Sequence, residues 1–147
     1  MRKTALLLLA GLAGCATGSN LASHGSFATA NPAIDKKIAD DAGKKLIALY
    51  PPAVTRFELQ HAFTDPFGAS LVAALRAQGY ALKEHKSAPR TGADGKGGSR
   101  AMSYVFDQPA ETDLYRVTLR IDAQSLSRMY QAKDGNVVPA GYWVRKE

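Results

Sequence analysis

The sequence has a single cysteine and only three histidines among its 147 residues. One thiol cannot form an internal disulfide, and His24, His61 and His85 lie far apart in the chain, so neither a disulfide framework nor a zinc site is predicted. The longest apolar run, which begins at Ala5, is shorter than the roughly 20 residues needed to cross a bilayer as a helix. With 46% hydrophobic and 22% charged residues, the composition predicts one ordinary globular domain.

The first 14 residues have the pattern of a secretory signal. Arg2 and Lys3 precede the apolar run, and the small residues Ala13 and Gly14 close it. A segment of this kind is removed from the mature protein and takes no part in its fold. Losing both cations leaves 17 basic against 13 acidic residues, so the formal charge falls from +6 to +4.

The end of this signal resembles a bacterial lipobox, because Leu12, Ala13 and Gly14 lead directly into Cys15. We expect the first three to be recognised by the signal peptidase, and Cys15 to carry a diacylglycerol thioether and an acyl group on its new amino terminus. Two or more acyl chains anchor a protein stably, whereas one alone does not. An aspartate directly after the lipidated cysteine favours the inner membrane. Ala16 occupies this position, so we expect the protein to lie at the outer membrane, facing the periplasm. The alternative is an ordinary secretory signal that happens to end at a free cysteine.

Residues 15–30 are predicted to be the lipidated cysteine and a flexible tether, since ATGSNLASHGSFATA is small, polar and almost uncharged. In a second interpretation, part of this segment becomes ordered when it binds a partner protein. Leu21 and Phe27 would then be its two apolar anchors.

Residues 31–147 are predicted to form a single α+β domain. Asn31-Pro32 and Asp65-Pro66 each begin a helix with an apolar stripe, and Asp134-Gly135 predicts a β-hairpin. Period-two patterns predict strands near residues 54–59, 80–82, 102–106, 115–121, 126–131 and 137–144. We therefore expect a two-layer sandwich, with both helices on one face of a mainly antiparallel sheet of five to six strands. Residues 85–100, rich in glycine and basic residues, are predicted to be a mobile loop.

No motif in the sequence predicts catalysis, a metal or a bound cofactor. The glycines of residues 92–98 lack the Lys-Ser/Thr ending of a phosphate-binding loop, and Ser70 lacks the flanking glycines of a nucleophile elbow. His61 has no second ligand at metal-binding spacing, and Asp40 and Asp41 are interpreted as a solvated helix face. We therefore expect a protein that is not an enzyme.

The basic residues do not predict direct nucleic-acid binding. Arg116, Thr118 and Arg120 alternate away from the aromatic residues, whereas nucleic-acid modules interleave the two on one surface. A solvated face, or a patch that meets anionic lipid or an acidic partner, fits this arrangement better.

Long stretches of the chain resemble the conjugal transfer protein TrbH family. The resemblance is carried by LIALYPPAVTRF at 46–57, DPFGASLVAALRAQGY at 65–80, DLYRVTL at 113–119, SLSR at 125–128 and PAGYWVRKE at 139–147. It implies a lipoprotein of the mating-pair-formation apparatus, a type IV secretion system that transfers plasmid DNA between bacteria. Such a protein would help seat the core complex at the outer membrane by binding other Trb subunits. Cys15 is the only residue to which the resemblance assigns a role, that of lipid attachment site.

Two rival interpretations stay open at this point. A periplasmic lipoprotein assisting an envelope transporter or lipopolysaccharide assembly could share the anchor and the α+β domain. An envelope hydrolase would require a Ser/His/Asp constellation assembled by the fold.

Overall fold

The computed structural model describes residues 24–85, 98–109 and 112–147. Its helices are α1 (Pro32–Leu49) and α2 (Pro66–Ala77). Its strands are β1 (Gly25–Ser26), β2 (Arg56–Leu59), β3 (Ala81–Lys83), β4 (Ser99–Asp107), β5 (Leu114–Ile121), β6 (Gln124–Lys133), β7 (Asn136–Pro139) and β8 (Val144–Lys146). The α+β class and the two helices predicted from the sequence are thereby confirmed.

Both helices begin where their caps predict. The Asn31 side chain accepts a hydrogen bond from Ile34 N at 3.0 Å, and the Asp65 side chain accepts one from Gly68 N at 2.9 Å. Each bond satisfies one of the amide groups that the first helical turn leaves without a partner. Gly79, with a φ of +87°, follows α2 in the left-handed conformation that glycine adopts without strain.

The described strands form one eight-stranded sheet, whose main path has the order β3-β2-β4-β5-β6-β7, with β1 and β8 off this path. β4, β5 and β6 are its three long strands. Two short strands, β2 and β1, lie along the outer side of β4, and two more, β7 and β8, lie along the outer side of β6. Asp134 and Gly135 both have positive φ values at the turn between β6 and β7, which confirms the predicted hairpin.

The sheet is mixed and has more strands than the predicted five to six. β2 runs parallel to β3 and to β4, and β1 is also parallel to β4, while the remaining pairs are antiparallel. Two features account for the extra strands. β1 was not predicted at all, and the predicted strand near 137–144 is divided in two after Pro139, whose nitrogen cannot donate to a neighbouring strand.

Two predicted boundaries do not hold in the part of the chain that the structure describes. Gly25 and Ser26 pair with Val105 and Phe106, and Ala28 and Ala30 pack against the core, so the predicted tether does not extend to residue 30. Ser99 and Arg100 already belong to β4, so the predicted loop 85–100 ends earlier. Most of that loop, residues 86–97, lies outside the described residues.

The core lies between the helices and one face of the sheet. Alternate residues of β5, from Tyr115 to Ile121, are buried, while Arg116 and Arg120 between them are exposed on the other face. Phe67 of α2 stacks on Phe106 and meets Tyr104 edge-on, with ring centroids 4.6 and 5.1 Å apart. The helices therefore cover one face, and the opposite face, called here the helix-free face, carries the alternate side chains of the strands.

Candidate interaction site

The residues expected to direct lipidation lie outside the described part of the chain. Leu12, Ala13, Gly14 and Cys15 all precede residue 24, so their roles stay predictions. Leu21 is outside it as well, whereas Phe27 follows β1 and is 57% exposed. The described residues instead offer two surfaces that could serve recognition: a histidine-lined cavity and the C-terminal edge of the sheet.

The structure brings together the three histidines that are far apart in the sequence. The rings of His24 and His61 stack with their centroids 5.4 Å apart. His85 and His61 line the same cavity, and the charges of both His24 and His85 act on the pKa of His61. The fold therefore brings together histidines that lie far apart in the chain, because β1 and the end of β3 converge on the loop that follows β2.

His61 fills a gap in the sheet with its side chain. β2 pairs with β4 up to Met102, β1 pairs from Val105, and the amide of Tyr104 between them points to the His61 ring. Nε2 of His61 accepts from this amide at 3.4 Å, while Nδ1 lies 3.0 Å from the carbonyl oxygen of Ala62. Only the neutral ring with its proton on Nδ1 makes both bonds, since a protonated Nε2 cannot accept.

Two carboxylates, Asp65 and Asp35, lie near Tyr104, whose ring also contacts His61. Asp65 caps α2 with one oxygen and accepts from the hydroxyl of the buried Tyr104 with the other. Asp35, on the first turn of α1, is only 4% exposed, and burial followed by the charge of Asp65 raises its pKa. The burial of Asp35 was not predicted from the sequence.

A cavity of about 470 Å³ opens next to His61, where β2 and β3 end and α2 begins. Its walls are mainly apolar, and Arg76, Glu84, His61 and His85 contribute the polar groups. Crevices at the carboxyl ends of parallel strands are common ligand sites, so this cavity is a candidate binding pocket.

The described residues do not assemble a recognisable catalytic or metal site at this cavity. Both ring nitrogens of His61 contact backbone atoms, and the hydroxyl of Ser70, the serine considered from the sequence, donates to the carbonyl of Pro66. Within residues 24–85, 98–109 and 112–147 there is also no group of three or more His, Cys, Asp or Glu side chains able to hold a metal ion.

The burial of His61 predicts a pH-dependent stability. Burial lowers the pKa of His61 below its usual 6.5, and the bond to Ala62 opposes this shift only in part. The unfolded chain then binds a proton that the folded chain resists, so stability is full above pH 6.5 and is lost as the pH falls through the pKa of the folded state.

We expect the unfolding free energy of the wild-type protein to fall as the pH drops below about 6.5, with a slope below about 1.4 kcal/mol per pH unit for one proton. The His61→Gln variant can still accept from Tyr104 and should show a flatter profile in urea denaturation. Because Asp35 titrates in both proteins, the difference between the two profiles isolates His61. Parallel profiles would contradict the assignment of a neutral, buried His61.

The second surface is the C-terminal edge, defined as β7, β8 and residues 140–143 between them. A clamp attaches it to α1: the Arg128 guanidinium donates to the Asp41 carboxylate and to the carbonyl of Gly141, both at 2.8 Å. The hydroxyl of the buried Tyr130 donates to the same carboxylate at 2.7 Å, and Arg128 also lies over the ring of Trp143.

The interpretation of Asp41 as solvated is therefore wrong, although its neighbour Asp40 does pair with the exposed Lys36.

The row Arg116, Thr118 and Arg120 lies on the helix-free face, as its alternation predicted. Arg116 pairs with Asp107, and the hydroxyl of Thr118 contacts that of Ser127 across the strands at 2.9 Å. Among the described residues, Arg120 has no acidic partner. The row therefore adds charged and hydroxyl groups to the helix-free face.

The chain forms a small α+β domain with two surfaces suited to recognition. One is the C-terminal edge of the sheet. The other is the cavity beside His61, whose described walls hold no assembled nucleophile. The family model of the conjugal transfer protein TrbH matches residues 18–147. The chain belongs to this family and is a conjugal transfer protein. Comparisons with curated proteins and with solved structures gave no match.

The family match covers every described residue, including β1 and both surfaces. Neither described helix is long and apolar enough to span a membrane.

Proposed function

We propose that this protein is a lipid-anchored, non-catalytic assembly subunit of a conjugative type IV secretion complex. Cys15 attaches it to the outer membrane, and its domain lies in the periplasm, where it holds other Trb subunits and so supports plasmid transfer. The observation that carries the proposal is the match of residues 18–147 to a conjugal transfer family. The lipobox directly before this region supplies the anchor, and the family match favours this role over that of a transporter auxiliary.

The position of β1 limits how far the domain can lie from the membrane. With the lipid on Cys15, residues 16–24 connect it to β1, instead of the longer segment predicted from the sequence. Nine residues reach at most about 30 Å when fully extended. The proposed anchor therefore keeps the domain close to the membrane surface, where the remaining contacts must come from protein partners.

Metabolic labelling with palmitate tests the anchor. We expect the wild-type chain to incorporate label and to sediment with membranes, because its thioether and amide carry acyl chains. The Cys15→Ser variant should incorporate none, since serine offers no thiolate to the lipid donor. Its unprocessed precursor, still carrying Arg2 and Lys3, should accumulate.

The control is a Ser23→Ala variant, which changes a hydroxyl in the same segment and leaves the lipobox intact. It should label like the wild type. A wild-type chain that is exported and cleaved but carries no label would overturn the anchor.

A further inference from the structure

The C-terminal edge has an unpaired strand. β8 pairs only with β6, through Ser125 to Ser127, and in the described ranges no strand lies on its other side. An open edge presents backbone donors and acceptors that a further strand can pair with. The clamp from Arg128 to Asp41 and Gly141 holds this edge in place, so the strand is presented on a fixed support.

Apolar side chains are concentrated beside this open strand. Tyr142, Val144 and Val138 are 92%, 64% and 42% exposed. Val144 lies opposite Ser127 and Val138 opposite Gln131, which places both on the helix-free face with Met129 between them. A shallow cavity of about 250 Å³ lies here, with Met129, Tyr142 and Val144 among its walls. Exposed apolar side chains clustered at a cavity indicate a contact surface.

The charge around the edge selects the kind of partner. Among the described residues, Arg145 pairs only with the highly exposed Glu147, a contact that solvent screens, and Lys133 and Lys146 have no acidic partner. A second copy of the chain would bring these same cations against each other. Arg145 lies opposite Leu126, on the helix side of the sheet, where the acidic side chains of a partner strand would neutralise it.

We propose that β8 receives an extended segment of a partner protein in which apolar and acidic residues alternate. Its backbone pairs with β8, its apolar side chains enter the cavity beside Met129 and Val144, and its acidic side chains face Arg145 on the other side of the strand. This inference rests on the proposed assembly role and names the surface that performs it.

The chain contains one tryptophan, Trp143, which lies next to β8 and serves as a reporter. The probe is acetyl-Val-Glu-Val-Glu-Val-Glu-amide, titrated into the full-length lipidated protein in detergent, with a Val-Lys peptide of the same length as its counterpart. We expect a saturable change in Trp143 fluorescence with the Glu peptide only. Amide hydrogen exchange at residues 144–146 should slow by roughly tenfold on saturation, as strand pairing requires.

Matched variants distinguish binding at this surface from nonspecific binding elsewhere on the protein. Val144→Asp and Arg145→Glu should each weaken binding by roughly tenfold or more. Val54→Asp replaces a valine that is 74% exposed near the opposite edge, and Lys44→Glu reverses a charge on the exposed side of α1. Both controls should bind the probe like the wild type.

Three results would overturn the proposal. The first is equal binding of the Glu and Lys peptides, and the second is binding without slower amide exchange in β8. The third is concentration-dependent dimerisation that Val144→Asp abolishes, which would show that a second copy of the chain occupies the edge. Loss of probe binding would leave the membrane anchor untouched, and an unlabelled Cys15 would leave this surface intact. The two proposals therefore fail separately.

Discussion

Replacing Asp41 with alanine is expected to lower the unfolding free energy by about 2–4 kcal/mol. The change leaves the hydroxyl of Tyr130, a residue only 2% exposed, without an acceptor. It also removes the acidic partner of Arg128; the two side chains are 17% exposed for Arg128 and 31% exposed for Asp41. A buried donor without a partner costs more than the original bond contributes, which is why the expected loss exceeds that of a surface ion pair.

The adjacent Asp40 provides the control. It pairs with Lys36 across one helical turn, and the two side chains are 42% and 70% exposed, so Asp40→Ala should change stability by no more than about 0.5 kcal/mol. Urea denaturation of both variants measures the difference. In folded Asp41→Ala, Trp143 should emit at longer wavelength, because Arg128 no longer holds the C-terminal edge. Equal stability losses at the two positions would contradict the clamp.

The helices and the hairpin could be predicted because their signals are local. Asn31 and Asp65 cap helices within three residues of themselves, and Asp134 and Gly135 adopt the turn that their sequence favours. β1 could not be predicted, since Gly25 and Ser26 form a two-residue strand with no alternation of apolar and polar residues. Its position depends on the free side of β4, eighty residues further along the chain.

The candidate site depended on long-range contacts and was largely missed. Asp35 and Asp41 flank the apolar stripe of α1, and only the packing of α2 and β6 decides that both side chains turn inward. The convergence of His24 and His61 requires β1 to lie beside β4. The alternation of strand residues did place Arg116 and Arg120 on the exposed face. Successive side chains of a strand point to opposite faces of the sheet, whichever strands lie beside it.

Loss of the lipid anchor is expected to have the largest effect of all on function. Cys15 lies outside the described fold, which begins at residue 24, and we expect Cys15→Ser to leave the stability of that fold unchanged. What the variant loses is the lipid that attaches it to the outer membrane, which keeps the domain concentrated there within reach of its partners. Plasmid transfer should therefore fail although the protein remains folded and abundant in the cell.

Conjugative transfer frequency from donor cells is the measurement that tests this account most directly. Donors lacking the gene are complemented with the wild type, Cys15→Ser or the labelling control Ser23→Ala, at equal protein abundance. We predict that the wild type and Ser23→Ala restore transfer, and that Cys15→Ser leaves it at the level of donors without the gene. Full transfer with Cys15→Ser, or normal transfer without the gene accompanied by a defect in lipid export, would contradict the proposed role.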